Sequence, residues 1–176
     1  MKAGLSVEDL DKYSNAEVFA FGSNLDPTDF RAWCKREREL NPVMIPRFRA
    51  ALRGYRLCWN YYSPVRRGGA ANICRDDRAV VIGMVFEVDP VTLSALDMKE
   101  GHPERYRRVR VSVESIDSPG VIREVWTYQV TAAYRRDLPV MPTQEYLEIV
   151  LRGIAVQGLP ESWRDEVIAS VDGRSL

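Results

Sequence analysis

The sequence predicts an α+β domain of about six strands, with helices inserted at intervals and not in strict alternation. Three observations carry this reading. Residues 79–88 (AVVIGMVFEV) are apolar on both faces, as a strand in the interior of a sheet is. Residues 47–62 and 108–114 follow a period of two, the pattern of a strand rather than a helix. At Asp26-Pro27 and again at Asp89-Pro90, a capping carboxylate precedes a proline suited to the first helical position, and each pair marks a helix start.

Taken in order, residues 18–21 are a short apolar, aromatic-rich run that reads as a buried strand. A Gly22-Ser23-Asn24-Leu25 turn leads to the first helix, in which Phe30, Trp33 and Cys34 recur at helical spacing. That helix should run to about Leu40 and stop at Asn41-Pro42. Within 47–62, Leu52, Tyr55, Leu57 and Trp59 suggest two strands hinged near Gly54. Arg66-Arg67-Gly68-Gly69 is a turn, and 70–74 is a short strand ahead of 79–88. After Asp89-Pro90, Val91, Leu93, Leu96 and Met98 support a short helix that stops at Gly101, a natural residue just past a helix end. Val109, Val111 and Val113 share one face of a half-exposed strand, and 121–130, with Trp126 and Tyr128, is another. Thr143 caps a helix over 144–156, and Gly158-Leu159-Pro160 turns into a last helix ending at about Ser170. A single domain over 17–171 is expected, with an N-terminal extension (1–16), a C-terminal tail (172–176), no repeat and no internal linker.

Composition narrows the function. A chain of 176 residues can bury a real core, and 25 basic residues balance 25 acidic ones, so no global field recruits nucleic acid or an anionic membrane. No apolar run approaches the roughly 20 residues that span a bilayer. Residues 1–15, polar and mixed in charge, do not read as a signal peptide. Cys34, Cys58 and Cys74 lack any Cys-x-x-Cys spacing and read as reduced, buried cysteines of a cytoplasmic protein. His102, the single histidine, sits beside Pro103 in a polar loop and reads as a surface residue. It leaves no second imidazole for a metal site, so metal-free chemistry is expected.

Two segments carry chemistry. Phe21, Gly22, Ser23, Asn24 and Leu25 end an apolar run and lead into a helix start, which places free backbone N–H groups where an oxygen-rich ligand can sit. Downstream, Asp97-Met98-Lys99-Glu100-Gly101 puts a carboxylate at the end of an apolar helical segment. Donors plus one acid suit proton transfer beside a polarised carbonyl. Taken singly, the turn is an ordinary turn, Glu100 a solvated helix-end acid, Asp97 a surface or capping residue, and Tyr106 and Tyr146 packing residues. The arginines at 105, 107, 108 and 110 invite a nucleic-acid reading, but neutral net charge and nearby acids make a solvated strand edge the better one.

Together these segments resemble the γ-glutamylcyclotransferase family, including the AIG2-like proteins, over roughly 17–171. The family's Tyr-Gly-Ser-Asn-Leu appears as Phe21-Gly22-Ser23-Asn24-Leu25, and its Leu-x-Gly-Tyr/Phe-x-Leu as Leu52-Arg53-Gly54-Tyr55-Arg56-Leu57. Its Gly-Gly-x-Ala turn appears as Gly68-Gly69-Ala70-Ala71. Leu96-Asp97-Met98-Lys99-Glu100-Gly101, followed by Tyr106, matches the acidic motif, and Tyr146 with Gly158-Leu159-Pro160 matches the tail. The resemblance implies a small mixed β-barrel with flanking helices. It also implies an enzyme, a cyclising acyltransferase or lyase, that turns a small γ-glutamyl amide into 5-oxoproline and frees the attached amine or amino acid. The substrate's own α-amine is the nucleophile, so no cofactor is implied; the protein would act as a monomer or homodimer.

On this reading Glu100 is the general acid/base. It stands at a helix C-terminus, where the dipole disfavours the anion. The loop from Phe21 to Leu25 cradles the glutamyl part through its backbone, with Tyr106 and Tyr146 nearby. Phe21 lacks the hydroxyl of the family's usual tyrosine. Asn24, typically absent from the glutathione-specific branch, points to the general γ-glutamyl branch. Residues 64–69 and 130–141 are candidates to line the leaving-group end. Two alternatives stay open: a non-catalytic module binding a small acidic ligand or a protein on the same fold, and a pathway-specific enzyme removing a γ-glutamyl group.

Overall fold

The computed structural model describes residues 14–171. Five strands close into a barrel: β1 (Ala16–Ala20), β2 (Met44–Ser63), β3 (Gly68–Val88), β4 (Tyr106–Ser115) and β5 (Ile122–Val130), in the spatial order β1-β3-β2-β4-β5. Neighbours run antiparallel except at the closing seam, where Val18 of β1 lies parallel to Trp126 of β5. Four helices flank the barrel: α1 (Pro27–Arg38), α2 (Pro90–Glu100), α3 (Gln144–Val156) and α4 (Glu161–Val171). The C-terminal tail and most of the expected N-terminal extension lie outside the described residues. Among the described residues, no helix is long and apolar enough to cross a membrane.

The architecture is the expected α+β barrel, built from five strands because two apparent breaks lie inside continuous ones. Gly54 adopts φ 78°, a left-handed conformation that glycine tolerates and most residues do not. Pairing steps across it from Arg53↔Val80 to Tyr55↔Arg75, so Gly54 faces the polar residues Asp76, Asp77 and Arg78 of β3 at a bulge. Both strands bend there, and neither ends.

Local chemistry starts the helices as the sequence predicts. Asp26 accepts from the Thr28 amide (2.9 Å) and Asp89 from the Thr92 amide (2.7 Å), each with proline at the first helical position. Thr143 caps α3 through the Tyr146 amide. The barrel interior is filled by Phe19, Leu52, Ile73, Val81, Val85 and Val113, all nearly inaccessible to solvent.

Three residues behave differently from their sequence readings. Cys58 and Cys74 are joined as a cross-strand disulfide between β2 and β3, with Cα atoms 6.3 Å apart, so only Cys34 is a free, buried thiol. No short Cys spacing announces that pair, because the hairpin itself brings the two positions together. His102 is half-buried, and its Nδ1 accepts from the Arg108 amide (3.1 Å), tying down the turn between α2 and β4.

The segment between β5 and α3 straps one end of the β2–β3 hairpin. Arg136 and Val140 donate to the carbonyls of Asn60 and Trp59 (2.7 and 2.6 Å), and Gly69 donates to that of Met141 (2.8 Å). The strap runs so close that a Cβ on Gly69 would fall 1.8 Å from the Val140 carbonyl oxygen. Gly69→Ala is therefore expected to lower the unfolding free energy by about 1–3 kcal/mol through overpacking against backbone. A urea unfolding curve with an unchanged midpoint would show that the strap does not pack there.

Candidate active site

The loop after β1 is positioned from below and behind. Leu25 and Asp26 donate their N–H groups to the Gly22 and Ser23 carbonyls (3.0 and 3.1 Å), closing a single 3-10 turn over Ser23–Leu25. The Leu25 side chain is fully buried, and its carbonyl accepts from Gln157 Nε2 (3.0 Å). Gly153 of α3 lets the helix approach, since a Cβ there would meet Leu25 Cβ at 2.6 Å. Asp26, also fully buried, accepts from Arg152 Nε (2.7 Å) as well as capping α1. Among the described residues, the amides of Gly22, Ser23 and Asn24 donate to no protein group, whereas that of Leu25 is spent within the turn.

Glu100 is the last residue of α2, and Gly101 follows in the left-handed conformation (φ 68°), its N–H closing the helix on the Asp97 and Met98 carbonyls. The Glu100 carboxylate accepts from Asn24 Nδ2 (2.9 Å), which joins the two segments singled out in the sequence. Lys99 completes the junction. Its ammonium donates to Asn24 Oδ1 (2.7 Å) and Ser23 Oγ (3.2 Å), lies 3.9 Å from Glu100 and 3.6 Å from Asp29, and is almost wholly buried. Arg66 pairs with the same Asp29 (2.7 Å).

Tyr106 and Tyr146 meet on the backbone of Ala71. The Tyr106 hydroxyl donates to the Ala71 carbonyl (2.8 Å), and the Tyr146 hydroxyl accepts from the Ala71 amide (3.3 Å). Burial holds the Tyr106 phenol well above its ordinary range and raises that of Tyr146, so both stay protonated near neutrality. Phe21 is buried against Phe19, with ring centroids 6.3 Å apart.

These residues surround two adjoining chambers that share Ser23, Glu100, Tyr106 and Tyr146 in their walls. An inner one of about 30 Å³ is lined by Phe21, Gly22, Asn24 and Tyr128, and an outer one of about 150 Å³ by Trp33, Val65, Arg66, Lys99 and Arg105. All the expected site residues except Leu25 border one or both. Residues 64–69 contribute Val65 and Arg66, whereas 130–141 border neither chamber and form the strap instead.

Asp97 departs from its surface reading. It accepts from the Tyr128 hydroxyl (2.7 Å) and from Arg108 (3.2 Å), one turn below Glu100. Arg108 and Arg110 stack on Trp126, at 4.9 and 4.3 Å from its ring centroid. Sequence reasoning missed Lys99, Asp29, Arg152 and Gln157, and reached Arg66 only as part of the 64–69 segment. Adjacent helical residues do not share a face, so periodicity gave no reason to place Lys99 beside Glu100.

Comparison with known proteins settles the family. The sequence profile of the family described as "Gamma-glutamyl cyclotransferase, AIG2-like" matches residues 18–148. The chain belongs to this family. A Methanocaldococcus jannaschii relative provisionally named gamma-glutamylcyclotransferase MJ1514 is 48% identical over 48 residues, which are 27% of this chain and 38% of that protein. A solved structure named "Gamma-glutamyl cyclotransferase" superposes with a TM-score of 0.74 at 22% identity, covering 89% of this chain and 88% of the other. YkqA from Bacillus subtilis gives 0.74 at 22% identity, covering 93% of this chain and 56% of its own longer chain. At these identities the superpositions establish the γ-glutamyl cyclotransferase fold.

Within that fold the buried Asp26 carboxylate holds the loop to both α1 and α3. Asp26→Ala should lower the unfolding free energy by about 1–3 kcal/mol, the loss of a helix cap plus part of an ion pair with a half-exposed arginine. Guanidinium denaturation of the variant is the check, and an unaltered curve would remove the clamp from the account.

Proposed function

We propose that this protein converts small γ-glutamyl amides into 5-oxoproline and the free amine, with Glu100 as the only protein group that exchanges protons with substrate. Glu100 takes a proton from the substrate α-ammonium, and the freed nitrogen attacks the γ-carbonyl carbon. A five-membered ring forms as the C–N bond forms. The carbonyl oxygen gains negative charge, which the unengaged amides of Gly22, Ser23 and Asn24 stabilise in this reading. Collapse breaks the original amide C–N bond: Glu100 returns its proton to the departing nitrogen, and the ring nitrogen gives up its second proton to the released amine, leaving the neutral lactam and an ammonium product. Holding a flexible glutamyl chain curled supplies much of the acceleration, because the attack is already intramolecular. Acid/base help adds roughly 10²–10⁴-fold.

The observation that carries this reading is the Asn24–Glu100 hydrogen bond. It sets the one candidate base against a turn whose first three amides are unengaged, at the junction of the two chambers. Phe21 supplies no hydroxyl, so the cradle acts through main-chain groups. The retained acid and the vacant amides favour catalysis over a purely binding role.

Incubation with a panel of γ-glutamyl amino acids and amines should release 5-oxoproline. Glu100→Gln should reduce kcat by about 10²–10⁴-fold with the fold intact by circular dichroism. Wild-type turnover in that variant would remove Glu100 from the role, and no product from any panel member would leave the binding module as the surviving reading.

A further inference from the structure

Taking the γ-glutamyl reading above as its starting point, we infer that the outer chamber selects leaving amines that themselves carry an anionic group, carboxylate or phosphate, and that Arg105 reads that group. The two chambers differ in charge. Apart from Glu100, the inner one is lined by backbone, aromatic and small polar groups. The outer one is lined by Arg36, Arg66, Lys99 and Arg105 against the acids Asp29 and Glu100. With the glutamyl end inside and Glu100 at the scissile bond, the leaving group faces these cations.

Most of them already have partners. Arg66 and Lys99 share Asp29, Lys99 also sits beside Glu100, and Arg36 pairs with Glu37 (2.7 Å). Arg105 has no carboxylate within ion-pair distance among the described residues. It is half-buried, and its side chain folds back over Gly101, where a Cβ would meet Arg105 Nε at 2.3 Å. The absence of a side chain at Gly101 thus lets the guanidinium lie beside the residue that follows Glu100. Burial raises the Tyr61 phenol, and the charge of Arg105 together with a hydrogen bond from its guanidinium acts against that rise, so Tyr61 is a neutral partner and not a counter-ion. A guanidinium partly removed from water without an acid lacks compensation that a ligand anion can provide. Its planar fork matches carboxylate and phosphate oxygens.

The competing explanation is that Arg105 only offsets the negative end of the α2 dipole. That role would change stability and would not distinguish substrates by charge. The test is the ratio of kcat/KM for γ-glutamyl-glutamate and γ-glutamyl-phosphoethanolamine to that for the neutral γ-glutamyl-methylamide, with γ-glutamyl-putrescine as the cationic control. Wild type should favour at least one anionic probe, the carboxylate and phosphate arms telling which, and Arg105→Gln should reduce that ratio by about 10–100-fold. Arg105→Lys should retain part of it, and Arg105→Glu should shift preference to the putrescine amide. The same four compounds titrated calorimetrically into Glu100→Gln, with and without Arg105→Gln, give the corresponding ratio of binding constants. If nothing is turned over, the reaction reading fails while the binding ratio still decides the charge inference. Parity between anionic and neutral probes, a ratio indifferent to Arg105, or no binding of any probe overturns it.

Discussion

Everything at the candidate site depends on a four-residue loop being held rigidly, and the buried Asp26 carboxylate is what holds it. A charge with no solvent access is costly unless its oxygens are satisfied, and here the Thr28 amide and Arg152 satisfy them. One oxygen starts α1, and the other ties the loop to α3. Gln157 reaches the Leu25 carbonyl from the end of the same helix, and Gly153 removes the side chain that would keep helix and loop apart. The loop is thereby fixed at its rear, which leaves its front amides free to face a ligand.

The second constraint is the network at the end of α2. Asn24 accepts from Lys99 through Oδ1 and donates to Glu100 through Nδ2, so its amide can have only one orientation. Lys99 is in turn shared between Ser23, Asn24 and Asp29, and Asp29 with Arg66. Loop, helix end and hairpin turn are thus joined by charged or amide groups shielded from water, where such bonds are stronger than at the surface. Below them Asp97, Tyr128 and Arg108 fasten α2 to the barrel wall. Burial and the adjacent Asp97 carboxylate hold the Tyr128 phenol well above its ordinary range, which keeps it a donor.

Local signals in the sequence carried far in this chain. The Asp-Pro helix starts, the Thr143 cap and the Gly101 stop are all short-range chemistry, and the corresponding elements fall where those residues put them. The continuity of β2 and β3 was not legible, because Gly54 and the Asp76-Asp77 pair look like punctuation until the two strands bend together. The pairing of Cys58 with Cys74 and the strap over Gly69 depend on which strands become neighbours, which no local pattern encodes. The loop and Glu100 were found as separate segments by residue type and family likeness. Their contact through Asn24, and the ring of Lys99, Asp29 and Arg66 around it, follow only from the tertiary fold.

The two tyrosines give the inner chamber a polarity that the residue types alone do not reveal. Tyr106 commits its proton to the Ala71 carbonyl, so what remains on that hydroxyl is acceptor capacity. Tyr146 accepts from the Ala71 amide, so its own proton is free for a ligand oxygen. One β3 residue therefore turns two chemically identical side chains into an acceptor and a donor. In the proposed reaction the ammonium suits Tyr106 and Glu100, while the α-carboxylate suits Tyr146 and the loop amides serve the γ-carbonyl oxygen. A phenylalanine at position 21 is compatible with that division, because neither role requires a third hydroxyl.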